Sequence, residues 1–222
     1  MDFTPVWLTI KLAVITTALL LLLSIPVAWW LARTTHWIKY PLSAVVALPL
    51  VLPPTVLGFY LLMGMSAHGI FEPIFEKTGL EPLAFSFTGL VIGSMIYSLP
   101  FVVQPLQSAF ETLGNRPLEV AATLRASALD RFITVVLPLS RSGLLTAATL
   151  GFAHTVGEFG VVLMIGGSIP GETKVLSIAI YEHVEALEYS YAHRYSFGML
   201  AFSFCVLLAM YLFNRPGHRS SQ

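Results

Sequence analysis

Five stretches of this chain stay apolar for about twenty residues or longer, and that repetition leaves few folds open. They run over roughly 6–31, 41–65, 85–108, 139–165 and 195–214. A helix crosses the hydrocarbon core of a bilayer with about 20 mostly apolar residues. With no water there to satisfy free N–H and C=O groups, runs of this length close their hydrogen bonds as helices. The alternating pattern of a membrane barrel is absent. Composition agrees: 56% of the 222 residues are hydrophobic and 11% charged, against about 25% charged in a soluble domain. The expected fold is an all-α integral membrane protein with five transmembrane helices in a single domain, 1–222. The first run is expected to be a retained helix rather than a signal peptide. Its leading charge is the acidic Asp2, and its apolar stretch exceeds the usual ~7–15 residues of a signal core. Lys11 is close enough to one end to snorkel.

Charge orients the five runs. Segments 32–40, 109–138 and the tail from 215 carry Arg33, Lys39, Arg116, Arg125, Arg131, Arg215 and Arg219, with Arg141 just inside the next run. The N-terminus, 66–84 and 166–194 carry Asp2, Glu72, Glu76, Glu81, Glu172, Glu182, Glu185 and Glu188 against Lys77, Lys174 and Arg194. The positive-inside rule puts the first set in the cytoplasm, so the N-terminus is expected outside and the C-terminus inside. Twelve basic residues balance twelve acidic ones, which removes the case for a nucleic-acid binder. The single cysteine, Cys205, excludes an internal disulfide and a multi-cysteine metal motif.

The segment 115–138 is patterned. Asn115-Arg116-Pro117 reads as a helix start, with Asn as N-cap and Pro in the first turn. Ser127-Ala128-Leu129-Asp130 reads as a capping box that opens a second helical segment through Phe132 and Val135 to Leu137-Pro138. Two short helices joined by a turn are expected at the cytoplasmic surface. Small side chains at Ala121 and Ala122 would let another protein's backbone approach closely.

This segment resembles the EAA loop of the ABC-importer permeases. Glu119-Val120-Ala121, then Arg125, Val135 and Leu137-Pro138 stand in the register of that family's Glu-Ala-Ala, Gly, Ile and Leu-Pro positions. Val120 replaces an alanine and Arg125 the glycine of the interhelix turn, so a differently built turn or an added ionic contact is expected. Leu48-Pro49-Leu50-Val51-Leu52-Pro53-Pro54-Thr55-Val56-Leu57-Gly58-Phe59, Gly157-Glu158-Phe159-Gly160, 167–173 and Ala179-Ile180-Tyr181 are similar to segments of molybdate permeases. Sulfate/thiosulfate and tungstate permeases share versions of these motifs. The resemblance implies a type I, MetI-like importer core in the bacterial inner membrane, working by alternating access. It implies a homodimer, two cytoplasmic ATPase subunits coupled through 115–138, and an extracytoplasmic molybdate-binding protein. No Gly-rich phosphate loop of the Walker type occurs in the chain, so no cofactor is expected here and ATP with Mg belongs to the separate ATPase.

A doubly charged tetrahedral oxyanion can be guided by neutral donors, helix N-termini and hydroxyls. No Lys or Arg stands in the middle of any run. Pro53-Pro54 should break the second run and free backbone groups near Thr55. Pro53, Pro54, Thr55 and Gly58 are therefore the candidate gate, and Ser94, Ser98, Thr146 and Thr149 the candidate hydroxyls of the path. Prolines also kink bundle helices, and Ser or Thr also bond their own helix, as purely structural features. Glu158 is the one acid well inside a run, and such a carboxylate is a functional candidate by default. His154, four residues earlier, would share its helical face and partner it, and Gly157 and Gly160 would permit close helix packing. An interface or gating role is expected for these four. The rival of another class is a proton-coupled carrier or intramembrane enzyme using Glu158 and His154. In the outer segment, Glu182, His183, Glu185, Glu188 and His193 match no metal-ligand template, so no metal is expected. A helix over about 173–187 with Val175, Ile178, Ala179 and Val184 inward explains them, its acidic face receiving a soluble binding protein.

Overall fold

The computed structural model describes residues 2–213 apart from 71, 74–76, 78 and 80. Glu76, Arg215, Arg219 and the end of the fifth run lie outside the described residues. Ten helices and no strand occur among the described residues. They are α1 (Thr4–Arg33), α2 (Lys39–Val51), α3 (Pro54–Met65), α4 (Phe87–Leu113), α5 (Arg116–Thr123), α6 (Ala128–Leu139), α7 (Arg141–Gly157), α8 (Gly160–Gly166), α9 (Leu176–Glu185) and α10 (Tyr189–Phe213). Three of them, α1, α4 and α10, are long and apolar enough to cross a membrane unbroken, and the number rises to five when bent pairs are counted as one span each.

α1 and α4 form the axis of the molecule. Leu8, Leu12, Thr16, Leu20, Ser24, Ala28 and Leu31 recur every three or four residues along α1 and are all buried, a single stripe turned to the bundle. Ser86 caps α4 by accepting the Gly89 N–H at 3.1 Å. α7 packs tightly on α4, because a Cβ at Gly143 would come within 2.2 Å of Ala109 Cβ and one at Gly151 within 2.6 Å of Val102 Cγ2. Two apolar clusters result. One holds Leu20, Leu31, Val103, Leu106, Phe110 and Val136; the other holds Leu8, Leu12, Leu90, Val161, Ile165 and Ile178.

The second and fourth apolar runs are not straight crossings. α2 and α3 meet at a bend of 113°. Leu52 (ψ 134°) and Pro53 (ψ 137°) are both extended, as a residue preceding proline is driven to be. Two consecutive pre-proline positions therefore remove a full turn. In the fourth run α7 stops at Gly157, Glu158 is extended with ψ 135°, and α8 restarts at Gly160. α6 and α7 are also bent, by 72° about Ser140. The outer helix is shorter than expected, Leu176–Glu185 rather than about 173–187. Val175, Ile178 and Ala179 pack inward, but Val184 is exposed. The Thr173 hydroxyl instead donates to Gly166 O at 2.7 Å and accepts from Ile169 N–H at 3.0 Å, so it holds a turn.

Candidate functional site

The residues marked in the sequence gather in two places, a hairpin at one end of the bundle and a junction of broken helices. The hairpin is α5 and α6. Asn115 stands at the α5 N-cap position, but its side chain caps nothing. Its Oδ1 accepts a hydrogen bond from Arg33 Nη1, and Arg33 Nη2 donates to Gly114 O at 2.8 Å. The guanidinium also lies 4.5 Å above the Trp29 ring. Lys39 pairs with Glu111 at 3.4 Å. Trp29 in turn meets Phe110 edge-on at 5.4 Å and Phe132 at 5.3 Å. The ends of α1 and α4 and the middle of α6 are thus one aromatic and ionic knot. Phe132–Val136 is wound as a π-helix, which turns Phe132 and the fully buried Val136 to the bundle.

Arg125 keeps the turn that the motif glycine would make. Its φ is +59°. Arg125 N–H donates to Ala122 O at 3.0 Å and Ala126 N–H to Ala121 O at 3.3 Å, the paired bonds of a Schellman helix end. The expectation of a differently built turn is corrected, since the backbone is the one a glycine would give and arginine bears its strain. Ser127 caps α6 by accepting the Asp130 N–H at 3.1 Å. Of the two alanines expected to allow a close approach, Ala121 is buried within the chain and Ala122 is exposed. The outward surface is Glu119, Val120, Ala122, Leu124 and Leu129, with Leu124 79% exposed despite its apolar side chain. Val135 and Leu137 are half-buried and Pro138 exposed.

The junction unites two sets that the sequence presented separately. α3 lies on α8 so closely that a Cβ at Gly58 would stand 2.7 Å from Met164 Cβ, and one at Gly160 2.7 Å from Pro54 Cβ. Pro54 of the expected gate therefore interlocks with Gly160 of the expected interface, while Gly58 packs on Met164 of the same helix. Gly157 has open space where its Cβ would point, so close packing there is not observed. Pro53 and Thr55 are exposed.

Glu158 is 4% exposed, and its carboxylate lies beside the buried Ser94 hydroxyl. The pairing of Glu158 with His154 expected from helical spacing does not occur, because the helix ends at Gly157 before the fourth residue is reached. His154 Nδ1 meets Ser98 Oγ at 2.9 Å, and its ring stacks on Phe101 at 3.9 Å. Ser98 also bonds Thr155 Oγ1 at 3.1 Å. Glu158 acts locally through its backbone, whose carbonyl accepts from Ser177 Oγ at 2.6 Å. Ser94 and Ser98 are thus buried on α4, whereas Thr146 lines a groove near the hairpin and Thr149 is half-buried. These hydroxyls do not form one continuous row.

On the far face Glu182 accepts from both Lys174 and Ser168. Burial works against its charge, but the ammonium and hydroxyl outweigh it and hold the carboxyl below its ordinary value. His183 pairs with Glu188 at 2.7 Å and Tyr181 with Glu185 at 2.5 Å. Residues 166–188 are therefore tied to one another.

Comparison with known proteins decides the family. Residues 24–216 match the model of the binding-protein-dependent transport system inner membrane component. The chain belongs to that family. It is 60% identical to the molybdenum transport system permease protein ModB of Azotobacter vinelandii, over 95% of this chain and 93% of that one. It is 37% identical to the protein of the same description from Haemophilus influenzae, over 83% and 81%. It is also 34% identical to a probable sulfate transport system permease protein of Zygnema circumcarinatum, over 91% of this chain and 69% of that one. Solved structures share the fold. A chain of the MetNI methionine ABC transporter aligns with TM-score 0.71 at 16% identity, covering 95% of this chain and 93% of that one. A bacterial ABC transporter importing alginate aligns with TM-score 0.75 at 14% identity, covering 99% and 82%. The family members are transport permeases, so the hairpin and junction belong to a transport subunit and not to an enzyme. Of the residues that fix the hairpin, Arg33 was legible only as one of the basic charges that orient the chain, and Trp29 and Phe110 carried no signal beyond standing near the ends of apolar runs.

Proposed function

We propose that this chain is the membrane permease subunit of an ATP-driven importer that carries molybdate into the cytoplasm. The observation that carries the reading is the 60% identity to a molybdenum transport permease over nearly the whole chain. The hairpin supports it physically, as a firmly anchored pair of helices with an apolar outward face at Val120, Leu124 and Leu129. In this reading two copies enclose the path in the inner membrane, N-termini outside and C-termini in the cytoplasm. Two cytoplasmic ATPases bind ATP and Mg and press on residues 115–138, and a molybdate-binding protein delivers the anion from outside. Closure of the ATPase pair moves the hairpin, and alternating access follows. The likeness to a sulfate permease keeps sulfate or thiosulfate as a second substrate reading, with tungstate beside it. A proton-coupled carrier lacks the His154–Glu158 pair it needs, because His154 is bonded to Ser98.

The test is radiolabelled molybdate uptake into vesicles holding the chain, its ATPase and its binding protein. Uptake should require ATP and fall sharply with Leu124→Asp, which keeps Ala121 and the fold in place. Uptake driven by a proton gradient without the ATPase would overturn the reading. Competition by sulfate and tungstate ranks the anions.

A further inference from the structure

α1 and α10 begin at the same end of the molecule. Tyr195 Oη donates to the main-chain oxygen of Asp2 at 2.7 Å, which ties the start of α10 to the start of α1. α1 is 30 residues long, about 45 Å at the usual helical rise, and its other end carries Arg33 and the hairpin. The two starts therefore stand at the end away from the hairpin. Phe3, Trp7, Tyr189 and Tyr191 are exposed there, and aromatic side chains of this kind mark the head-group level of a bilayer.

Below that level the two helices part. Between them lies an apolar cleft of about 310 Å³, with Val6 and Ile10 on the α1 side, Met199 and Phe202 on the α10 side, and Val156 and Leu176 beneath. Gly198 keeps the gap open, because a Cβ there would meet no atom within 4 Å. Thr9 and Tyr195 of the lining are satisfied within the chain. The Thr9 hydroxyl accepts from Leu176 N–H at 2.8 Å and donates to Pro5 O at 2.8 Å, and Tyr195 is taken by Asp2. Arg194 is the one charged side chain of the lining. Its guanidinium lies 5.9 Å from the Tyr191 ring centre, and no carboxylate pairs with it among the described residues. The Asp2 carboxylate is itself bonded to Thr4 N–H at 2.9 Å. From Arg194 to Phe202 the cleft descends about 12 Å along α10.

A guanidinium without a counter-ion at the head-group level, above an apolar slot, matches an amphiphile with an anionic head and a hydrocarbon tail. Arginine presents a planar fork of donors that fits two oxygens of a phosphate, and the slot below favours hydrocarbon over water. We propose that this cleft binds one acidic phospholipid of the leaflet at this end, its phosphate on Arg194 and one acyl chain laid past Gly198 between α1 and α10. The lipid fills a seam that the chain leaves open. It also holds α10 to the bundle, since that helix buries little of its apolar surface against the others. The site does not depend on which ion the permease carries.

The test uses the full chain in dodecyl maltoside, supplied with dioleoylphosphatidylglycerol or dioleoylphosphatidylcholine. Native mass spectrometry reads the bound lipid and the number of chains together. Loss of charge-assisted hydrogen bonds predicts about tenfold weaker retention of phosphatidylglycerol in Arg194→Gln, and with it the loss of preference over phosphatidylcholine. Gly198→Leu, whose side chain enters the slot, lowers retention although Arg194 is intact, and the number of chains is the same in both variants. Equal retention of the two lipids by the unaltered chain overturns the site, as does full retention in either variant. A fall in the number of chains in Gly198→Leu would give the slot to a second copy of this chain, and overturns the proposal as well.

Discussion

Replacing Arg125 by glycine should stabilise the hairpin, although it removes a charged side chain. Arg125 sits at φ +59°, where an L-residue loses roughly 1–2 kcal/mol to the clash of its Cβ with backbone. Glycine escapes that clash but gives up about 0.5–1 kcal/mol more conformational freedom on folding. The difference leaves a net gain of about 0.5–1 kcal/mol for Arg125→Gly, equivalent to about a two- to fivefold change in a local opening equilibrium. The turn is closed by the Arg125 N–H to Ala122 O and Ala126 N–H to Ala121 O bonds, so amide exchange at those two positions reads the opening directly. Exchange measured in nanodiscs should slow two- to fivefold in Arg125→Gly. In Arg125→Val it should accelerate, since a β-branched residue is least tolerated in that region. Faster exchange in Arg125→Gly would refute the reasoning, and would mean that contacts of the arginine side chain hold the hairpin rather than the helix-end geometry.

Two further outcomes follow from the same distances. Gly160→Ala puts a methyl group 2.7 Å from Pro54 Cβ and should lower stability by about 1–3 kcal/mol, seen as a lower melting temperature in detergent; Gly157→Ala, which meets open space, should not. The lowered pKa of Glu182 stabilises the tie between residues 168–174 and α9 above the unfolded-state value of 4.5, and the contribution fades as pH falls through the still lower folded value. Glu182 is more than a third exposed, so solvent screening limits this to at most about 1 kcal/mol. Exchange of the 168–176 amides should therefore rise in Glu182→Gln at pH 7 but match the unaltered protein in strong acid.

How far the sequence could be read depended on whether a feature was local. The three unbroken spans were legible, because a long apolar run has one cheap solution in a bilayer. The break at Pro53-Pro54 was legible too, since proline acts on its own neighbours. The break at Glu158 was not. Gly157 and Gly160 lower helix propensity, but what accompanies the break is distant in sequence: Pro54 presses on Gly160 and Ser177 takes the Glu158 carbonyl. Helical spacing then misassigned the partner of His154. The hairpin shows the same divide. Its two helices and the Ser127 cap followed from adjacent residues, whereas Asn115 was diverted from capping by Arg33, 82 residues away. Ala121 and Ala122 are chemically alike, and only the placement of α5 against the bundle decides which one is left exposed.

The same close contacts divide the molecule into two parts. On the hairpin side of Pro100, α4 is fastened to α7 where Val102 meets Gly151 and Ala109 meets Gly143, and to the hairpin itself through Phe110, Trp29 and Phe132. On the other side, Gly93 accepts Ile165 so closely that a Cβ there would lie 2.2 Å from Ile165 Cδ1, which fastens the first half of α4 to α8 and, through α8, to the broken α3. Pro100 and Pro105 stand inside α4 near the boundary, where each removes an intrahelical hydrogen bond and lowers the cost of bending. The close contacts at Gly143 and Gly151 oppose sliding of the near half of α4 past α7, so a displacement of the hairpin would carry the two together. It reaches the α3–α8 junction through α1, through the proline-weakened stretch of α4, and through the extended Glu158-Phe159 link that joins α7 to α8. The glycine-locked groups of helices, and not the individual helices, are therefore the units on which a push at the hairpin would act.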